Sequence, residues 1–452
     1  MAKEWIPGLI AQLHRGKIDR REFIKRATAA GLSASLIGQV VARYDLALAQ
    51  ETASQIGMPG IPHITDTSKG EIHLYSSWPM IGASEQIGGD SAEAVRMALE
   101  DFGMAAGGFA LKYEALDDAI AATGSWDAGK EAENANKVVN DQDAMVYIAT
   151  YNSGAAKISI PILNEAKPGP MAMISPANTY PGLTKKIEGV TEEGEPDKYY
   201  PTGKRNYMRV VPADDIQGTA AANWAYNTKG FRKAYVLHDN QLYGKGVALV
   251  FRNAFEKLGG TILGFEGYDP NAPDYQALMT SIADKGPDIV YLGAIVNLNA
   301  SKLLIDMRSL MPADQVAFLG PDGLINQAFV EGAGDAAEGA FITFAGFTPD
   351  ALLQKGGAGA DWVTRMKERL GHDPDAYSVY AYEATVVVIQ AIDKVQEKDR
   401  PKILDAMFAT EGFKGLLGEW SFTETGDTNS TTMTLNTVKD GKIVFLEVIS
   451  AV

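Results

Sequence analysis

Two polar loops carry the residues best suited to hold a small anion. The stretch 146–179 reads VYIATYNSGAAKISIPILNEAKPGPMAMISPANT. Its first loop contains Asn152-Ser153-Gly154 and its second contains Ser175-Pro176-Ala177-Asn178-Thr179. Ser153 and Thr179 offer hydroxyls and backbone N–H groups, the donors a carboxylate accepts. A helix beginning at about Ala155 would put its positive end behind them. Serine in that position is also the common N-cap, satisfying one of the helix's own N–H groups. The two uses are compatible at a helix N-terminus.

The elements around these loops must bring them together. Apolar runs at 146–149 and 171–174 read as strands, and Ile158, Ile162, Leu163 and Ala166 recur at helical spacing between them. In a parallel sheet both loops leave at the carboxyl edge, where open α/β sheets bind ligands. The same alternation predicts strands at 71–76, 110–116 and 207–211, with helices at 91–106, 128–140 and 216–227. It restarts with strands at 234–237, 261–265, 289–292, 317–319 and 340–344. The helices between them are expected at about 244–258, 275–284 and 297–309, and a long helix follows at 377–395. A hairpin is expected at 433–448 around Asp440-Gly441. Two α/β arrays imply two lobes with a cleft between them. Segment 187–206, rich in Gly, Pro and charge, reads as a surface loop.

Other chemistry is excluded or weak. The 452 residues contain no cysteine, which removes disulfides, thiolate catalysis and cysteine-held clusters. The five histidines are scattered without paired metal-ligand spacing. No G-x-S-x-G elbow or GxxxxGK[ST] loop is present. Gly244-Lys245-Gly246 lacks the third glycine of a dinucleotide fingerprint and reads as easing a turn into a helix. Asp117-Asp118 and Asp214-Asp215 are paired carboxylates that could serve acid/base work, but adjacent residues point apart and helix capping is the common use. A net charge of −16 argues against nucleic acid as a partner. No enzyme, cofactor or metal is expected.

The first 49 residues read as a leader. Arg20-Arg21-Glu22-Phe23-Ile24-Lys25 resembles the twin-arginine export motif, a short apolar stretch follows, and Ala47-Leu48-Ala49 fits a cleavage site. This leader holds eight Lys/Arg and four Asp/Glu, so its loss takes the net charge from −16 to −20. Residues 50–69 read as a flexible lead-in. The mature protein is expected in a periplasm, delivered by the twin-arginine machinery.

Four stretches carry a family resemblance: LHDNQLYGKG at 237–246, LGPDG at 319–323, ISPANT at 174–179 and NKVVND at 136–141. With these the chain resembles the type I periplasmic binding proteins of the leucine/isoleucine/valine class, which serve ABC importers. The resemblance spans about 70–450. It implies two Rossmann-like lobes closing on a ligand, lobe one at 70–213 plus 346–428 and lobe two at 214–345 plus 429–452. It implies that Ser153 and Thr179 bind the carboxylate of an amino acid. The Ala177 carbonyl and the Asp322 side chain would take the ammonium, Tyr243 would cover the ligand, and Tyr377 would approach from the hinge. Asn152 and Ile295 replace residues common in the family, and Trp78 could either stack on a ligand or pack between the lobes. The implied partner is an ABC permease with its ATPases. Short amides, urea, γ-aminobutyrate and aromatic carboxylates are alternative ligands; a sensor domain or an exported hydrolase would be a different class of protein.

Overall fold

The computed structural model describes residues 20–29, 37 and 65–451. A helix spans Arg20–Ala29. The expected cleavage region at 47–49 and most of the lead-in lie outside the described residues. None of the described helices is long and apolar enough to cross a membrane.

Two separate sheets organise the rest. The first contains β1 (Glu71–Trp78), β2 (Ala105–Ala106), β3 (Phe109–Asp117), β4 (Ala144–Ala149), β5 (Ala172–Ser175) and β6 (Tyr207–Arg209). Their order is β2-β3-β1-β4-β5-β6, parallel apart from the β2/β3 edge pair. The second contains β7 (Lys233–His238), β8 (Thr261–Gly267), β9 (Ile289–Gly293), β10 (Ala317–Gly320), β11 (Phe341–Phe344), β12 (Met433–Lys439) and β13 (Lys442–Ile449). Its order is β8-β7-β9-β10-β11-β12-β13, with the last two strands antiparallel. Both β4 (AMVYIA) and β9 (IVYLG) are buried at every position. Unbroken apolar runs of this kind suit central parallel strands covered by helices on both faces.

Strand order reverses beside β1 in one sheet and beside β7 in the other. Such switch points open crevices at the carboxyl ends of the strands. Pairing of Ser77 with Ala149 and of Ile148 with Ile174 brings the loops after β1, β4 and β5 to one edge. The long helix Ser378–Val395 packs on Glu85–Asp101 and so returns the chain to the first sheet.

Several elements depart from the pattern-based reading. The helix expected at 91–106 spans Glu85–Asp101, because Gly103 and Met104 take positive φ and residues 105–106 form β2. Helices Pro349–Lys355, Ala358–Leu370 and Arg400–Phe408 were not foreseen. Segment 187–206 is the surface loop expected from its composition, but it is tethered to the first lobe. Buried Glu195 accepts hydrogen bonds from Tyr180 Oη (2.7 Å), the Glu192 N–H (2.8 Å) and Tyr199 Oη. Tyr200 Oη donates to the Leu183 carbonyl at 2.6 Å.

Candidate ligand site

On the first lobe, a hydrogen-bond network joins the loops after β4 and β5. The Asn178 side-chain amide donates to the carbonyls of Thr150 (2.8 Å) and Tyr151 (2.9 Å). Ser175 Oγ donates to the Thr150 carbonyl and accepts from the Ala177 and Asn178 N–H groups. Below them Arg209, fully buried, donates to the Asn178 and Tyr180 carbonyls and pairs with Asp427 at 2.7 Å. Burial alone would raise the Asp427 carboxyl, but the guanidinium holds it below its ordinary value.

The helix predicted behind these loops spans Ser153–Asn164, and Asn152 is its N-cap. Ser153 is therefore the first helical residue, a correction to its reading as a cap. Asn152 has extended backbone angles, and its carbonyl accepts from the N–H groups of Ala155 (3.0 Å) and Ala156 (3.2 Å). That leaves the Ser153 hydroxyl at the helix end, where it accepts the Tyr180 N–H at 3.3 Å. The Ser153 and Gly154 N–H groups are left without a partner in their own helix and form an anion-binding end.

The second lobe contributes a carboxylate. Asp322 follows β10 and is 2 % exposed. Its Oδ1 accepts from Tyr243 Oη and Gln217 Nε2, both at 2.6 Å, and Oδ2 accepts from Tyr377 Oη. A carboxylate has about four acceptor positions, so one remains on Oδ2. Burial pushes the Asp322 carboxyl up, against the charge-favouring bonds from the two tyrosines and Gln217. Asp214, also buried and facing Asp322, is pushed well above the carboxylate range by burial and then by that neighbouring charge. Asp239 at the β7 switch point is pushed by burial to about 7. It accepts the N–H groups of Gln241 (2.9 Å) and Ile295 (3.2 Å), tying the loops after β7 and β9 together.

Ser153 and Asp322 meet in a narrow cavity between the lobes with about 20 Å³ of room for water. That is room for about one water molecule, so the lobes stand close together there. Asn152, Ser153 and Ala177 line it from the first lobe; Tyr243, Ile295 and Asp322 line it from the second, and Tyr377 joins them. Two further lining residues, Tyr151 and Gly323, were missed. Tyr151 sits directly after β4 at the switch point, a position that could have flagged it. Thr179 and Trp78 are not in the lining. Trp78 is fully buried in the hydrophobic core, so the stacking role offered for it finds no place in this cavity. Thr179 is buried beside the loop network, and its hydroxyl has no hydrogen-bond partner.

The lobes also touch along the rim. Asn297 donates to the Gly124 carbonyl at 2.9 Å and accepts from Ser84 Oγ at 2.5 Å. A Cβ on Gly246 would lie 2.5 Å from the Tyr180 ring, and one on Gly244 would lie 2.3 Å from Asp239 Oδ1. These glycines permit close packing, and easing a turn does not account for them. Of the paired acids, Asp117 Oδ1 accepts the Met80 and Ala119 N–H groups, and Asp118 is buried away from the cavity lining. Among the described residues, His73, Asp141 and Asp143 bring three possible metal-ligating atoms near one another. These groups are already engaged: Asp141 with His73 and Tyr75, Asp143 with Lys398.

This architecture is that of a two-lobed solute receptor. A family model described as periplasmic binding protein matches residues 76–442, and the chain belongs to that family. It is 27% identical over 359 residues to a leucine-, isoleucine-, valine-, threonine- and alanine-binding protein of Pseudomonas aeruginosa, covering 79% of this chain and 87% of the relative. A leucine-binding protein of Thermotoga maritima superposes with a TM-score of 0.71 at 25% identity, over 84% of this chain and 99% of that one. A solute-binding protein of R. palustris in complex with benzoate superposes with a TM-score of 0.68 at 21% identity, over 85% of this chain and 98% of that one.

Proposed function

We propose that this chain is an exported receptor that captures an α-amino acid, with branched-chain types as the default, and delivers it to an ABC permease. One observation carries the reading: Asp322 keeps a free acceptor position in a cavity lined from the other side by the helix N-terminus at Ser153. A zwitterion would have its ammonium met by Asp322, with the Ala177 carbonyl, and its carboxylate by Ser153; Thr179, outside the lining here, would join only if its hydroxyl turns toward the ligand. Neither ligand charge is then buried unpaired. Tyr243, Tyr377, Tyr151 and Ile295 would enclose the side chain, with Asn152 at the rim of the helix end. The branched-chain-binding names of relatives support the same ligand class.

The lobes proposed are 70–213 plus 346–428 and 214–345 plus 429–452, in keeping with the membership of the two sheets. The twin-arginine leader and a periplasmic location belong to the same proposal, and a role in binding rather than catalysis fits the family.

A second reading, an aromatic carboxylate, is favoured by three tyrosines in the lining and by the benzoate-bound neighbour. A thermal-shift screen of amino acids, amides and aromatic acids separates the two, because a ligand raises the melting temperature by mass action. Stabilisation by leucine, isoleucine or valine is expected. Stabilisation only by benzoates would favour the second reading, and no response from any of these compounds would reject both.

A further inference from the structure

Two asparagines of the second lobe reach across the cleft to the first. Asn297 Nδ2 donates to the Gly124 carbonyl at 2.9 Å, and its Oδ1 accepts from Ser84 Oγ at 2.5 Å. Asn326 Nδ2 donates to the Ala83 carbonyl at 3.2 Å. A carbonyl only accepts, so Gly124 fixes which end of the Asn297 amide is the donor and leaves Oδ1 to the Ser84 hydroxyl. Asn326 is fixed from its own side. As N-cap of the helix Gln327–Ala333, its Oδ1 accepts the Ala328 N–H at 2.7 Å, which turns the amide nitrogen toward Ala83.

On the first lobe the partners form one block. Ala83 and Ser84 belong to the turn Gly82–Ser84, and Gly124 to the short hairpin that pairs Ala119 with Trp126. A Cβ on Gly82 would lie 2.1 Å from the Gly124 oxygen, so the turn and the hairpin are packed backbone to backbone. On the second lobe each asparagine extends a segment that lines the ligand cavity. Asn297 lies in the turn closed by the Leu298 N–H on the Ile295 carbonyl at 3.3 Å. Asn326 follows the turn in which the Ile325 N–H donates to the Asp322 carbonyl at 2.9 Å. Ile295 and Asp322 line the cavity, whereas neither asparagine does.

We infer that Asn297 and Asn326 are positioning residues that latch the Ile295 and Asp322 segments against the first lobe and so slow the escape of a bound ligand. The inference rests on the amino-acid reading above. Contacts between lobes form only after an open cleft has admitted the ligand, so their loss shows in dissociation rather than association. In an open cleft the same amides and carbonyls bond to water, so each hydrogen bond is worth about two- to tenfold in rate.

Release of radiolabelled leucine, chased with unlabelled leucine, tests this on the full chain. Asn297→Ala and Asn326→Asp should each speed release about two- to tenfold and change the association rate by less than about twofold. Aspartate caps a helix as well as asparagine does, so Asn326→Asp should leave urea stability without ligand equal to or above that of the wild type. Ser84→Ala should speed release by itself and add nothing once Asn297 is alanine, because the bond it removes is already gone. Unchanged release in either asparagine variant overturns the inference, as do Ser84→Ala and Asn297→Ala effects that simply multiply. Should Asn297→Ala fail to fold, Asn326→Asp and Ser84→Ala decide it. Failure of the wild type to bind leucine would instead overturn the amino-acid reading on which it rests.

Discussion

Replacing Gly246 by alanine should separate the stability of the fold from the stability of the closed cleft. The new Cβ would lie 2.5 Å and 2.6 Å from Tyr180 Cδ2 and Cε2. Carbon atoms pack best at about 3.5–4.0 Å, so the ring or the lobe must retreat by about 1 Å. Tyr180 has little freedom. Its hydroxyl is held by Glu195 at 2.7 Å, its N–H by Ser153 Oγ at 3.3 Å and its carbonyl by Arg209 at 2.8 Å. The strain therefore falls on the approach of the lobes. Overpacking of this kind costs about 1–3 kcal/mol, equivalent to a roughly five- to 140-fold rise in Kd if only the closed state bears it. Within its own helix the same change is favourable by about 0.5–1 kcal/mol, because glycine has poor helix propensity. Calorimetric titration with the best ligand and urea unfolding without ligand read the two effects separately. Weaker binding with equal or higher unliganded stability is expected. An unchanged Kd, or a Kd that rises only as far as the unliganded protein is destabilised, would refute the argument.

Asp322→Ala and Ser153→Ala should each weaken amino-acid binding at least tenfold without unfolding the protein, measured by calorimetry and circular dichroism. Arg209→Met should destabilise the protein by about 3–5 kcal/mol in urea, since it strips buried Asp427 of its close cation and leaves it only Lys185 at 3.6 Å. The Glu383 carboxyl accepts the Leu417 N–H and Trp420 Nε1 and is pushed by burial to about 7. Its folded form holds a proton that the unfolded form releases near pH 4.5, so its contribution to stability declines as pH rises from there to about 7. Glu383→Gln should flatten the fall in unfolding free energy between pH 5 and 8, and an identical slope would count against this assignment. Arg20→Lys with Arg21→Lys should abolish export, read by fractionation.

Local pattern was enough to read the two α/β arrays, because buried parallel strands write themselves as short apolar runs. The hairpin at Asp440-Gly441 was legible from its turn residues, both of which take positive φ. The 346–428 segment was harder. Its helices depend on capping by Thr348 and Asp399 and on packing against distant strands. At the site, the motif stretches hold four of the nine lining residues, Ala177, Tyr243, Asp322 and Gly323, whereas Tyr151 becomes a wall only through strand order. Gln217 and Asp214 were likewise out of reach. Their importance comes from a single amide that meets Asp214 and Asp322, 105 positions apart from the latter in the chain. The tethering of segment 187–206 by Glu195 also needed three dimensions, since its composition alone is that of an open loop.

The late entry of β12 into the second sheet has a consequence for biosynthesis. β11 ends at Phe344, and its antiparallel neighbour begins only at Met433. At about 5–20 residues per second a ribosome needs roughly 4–18 s to make the intervening chain. During that interval β11 presents an unpaired apolar edge, the type of template on which other chains aggregate. The nascent second lobe therefore needs protection, by a chaperone or by delayed collapse, until Met433–Lys439 has been made.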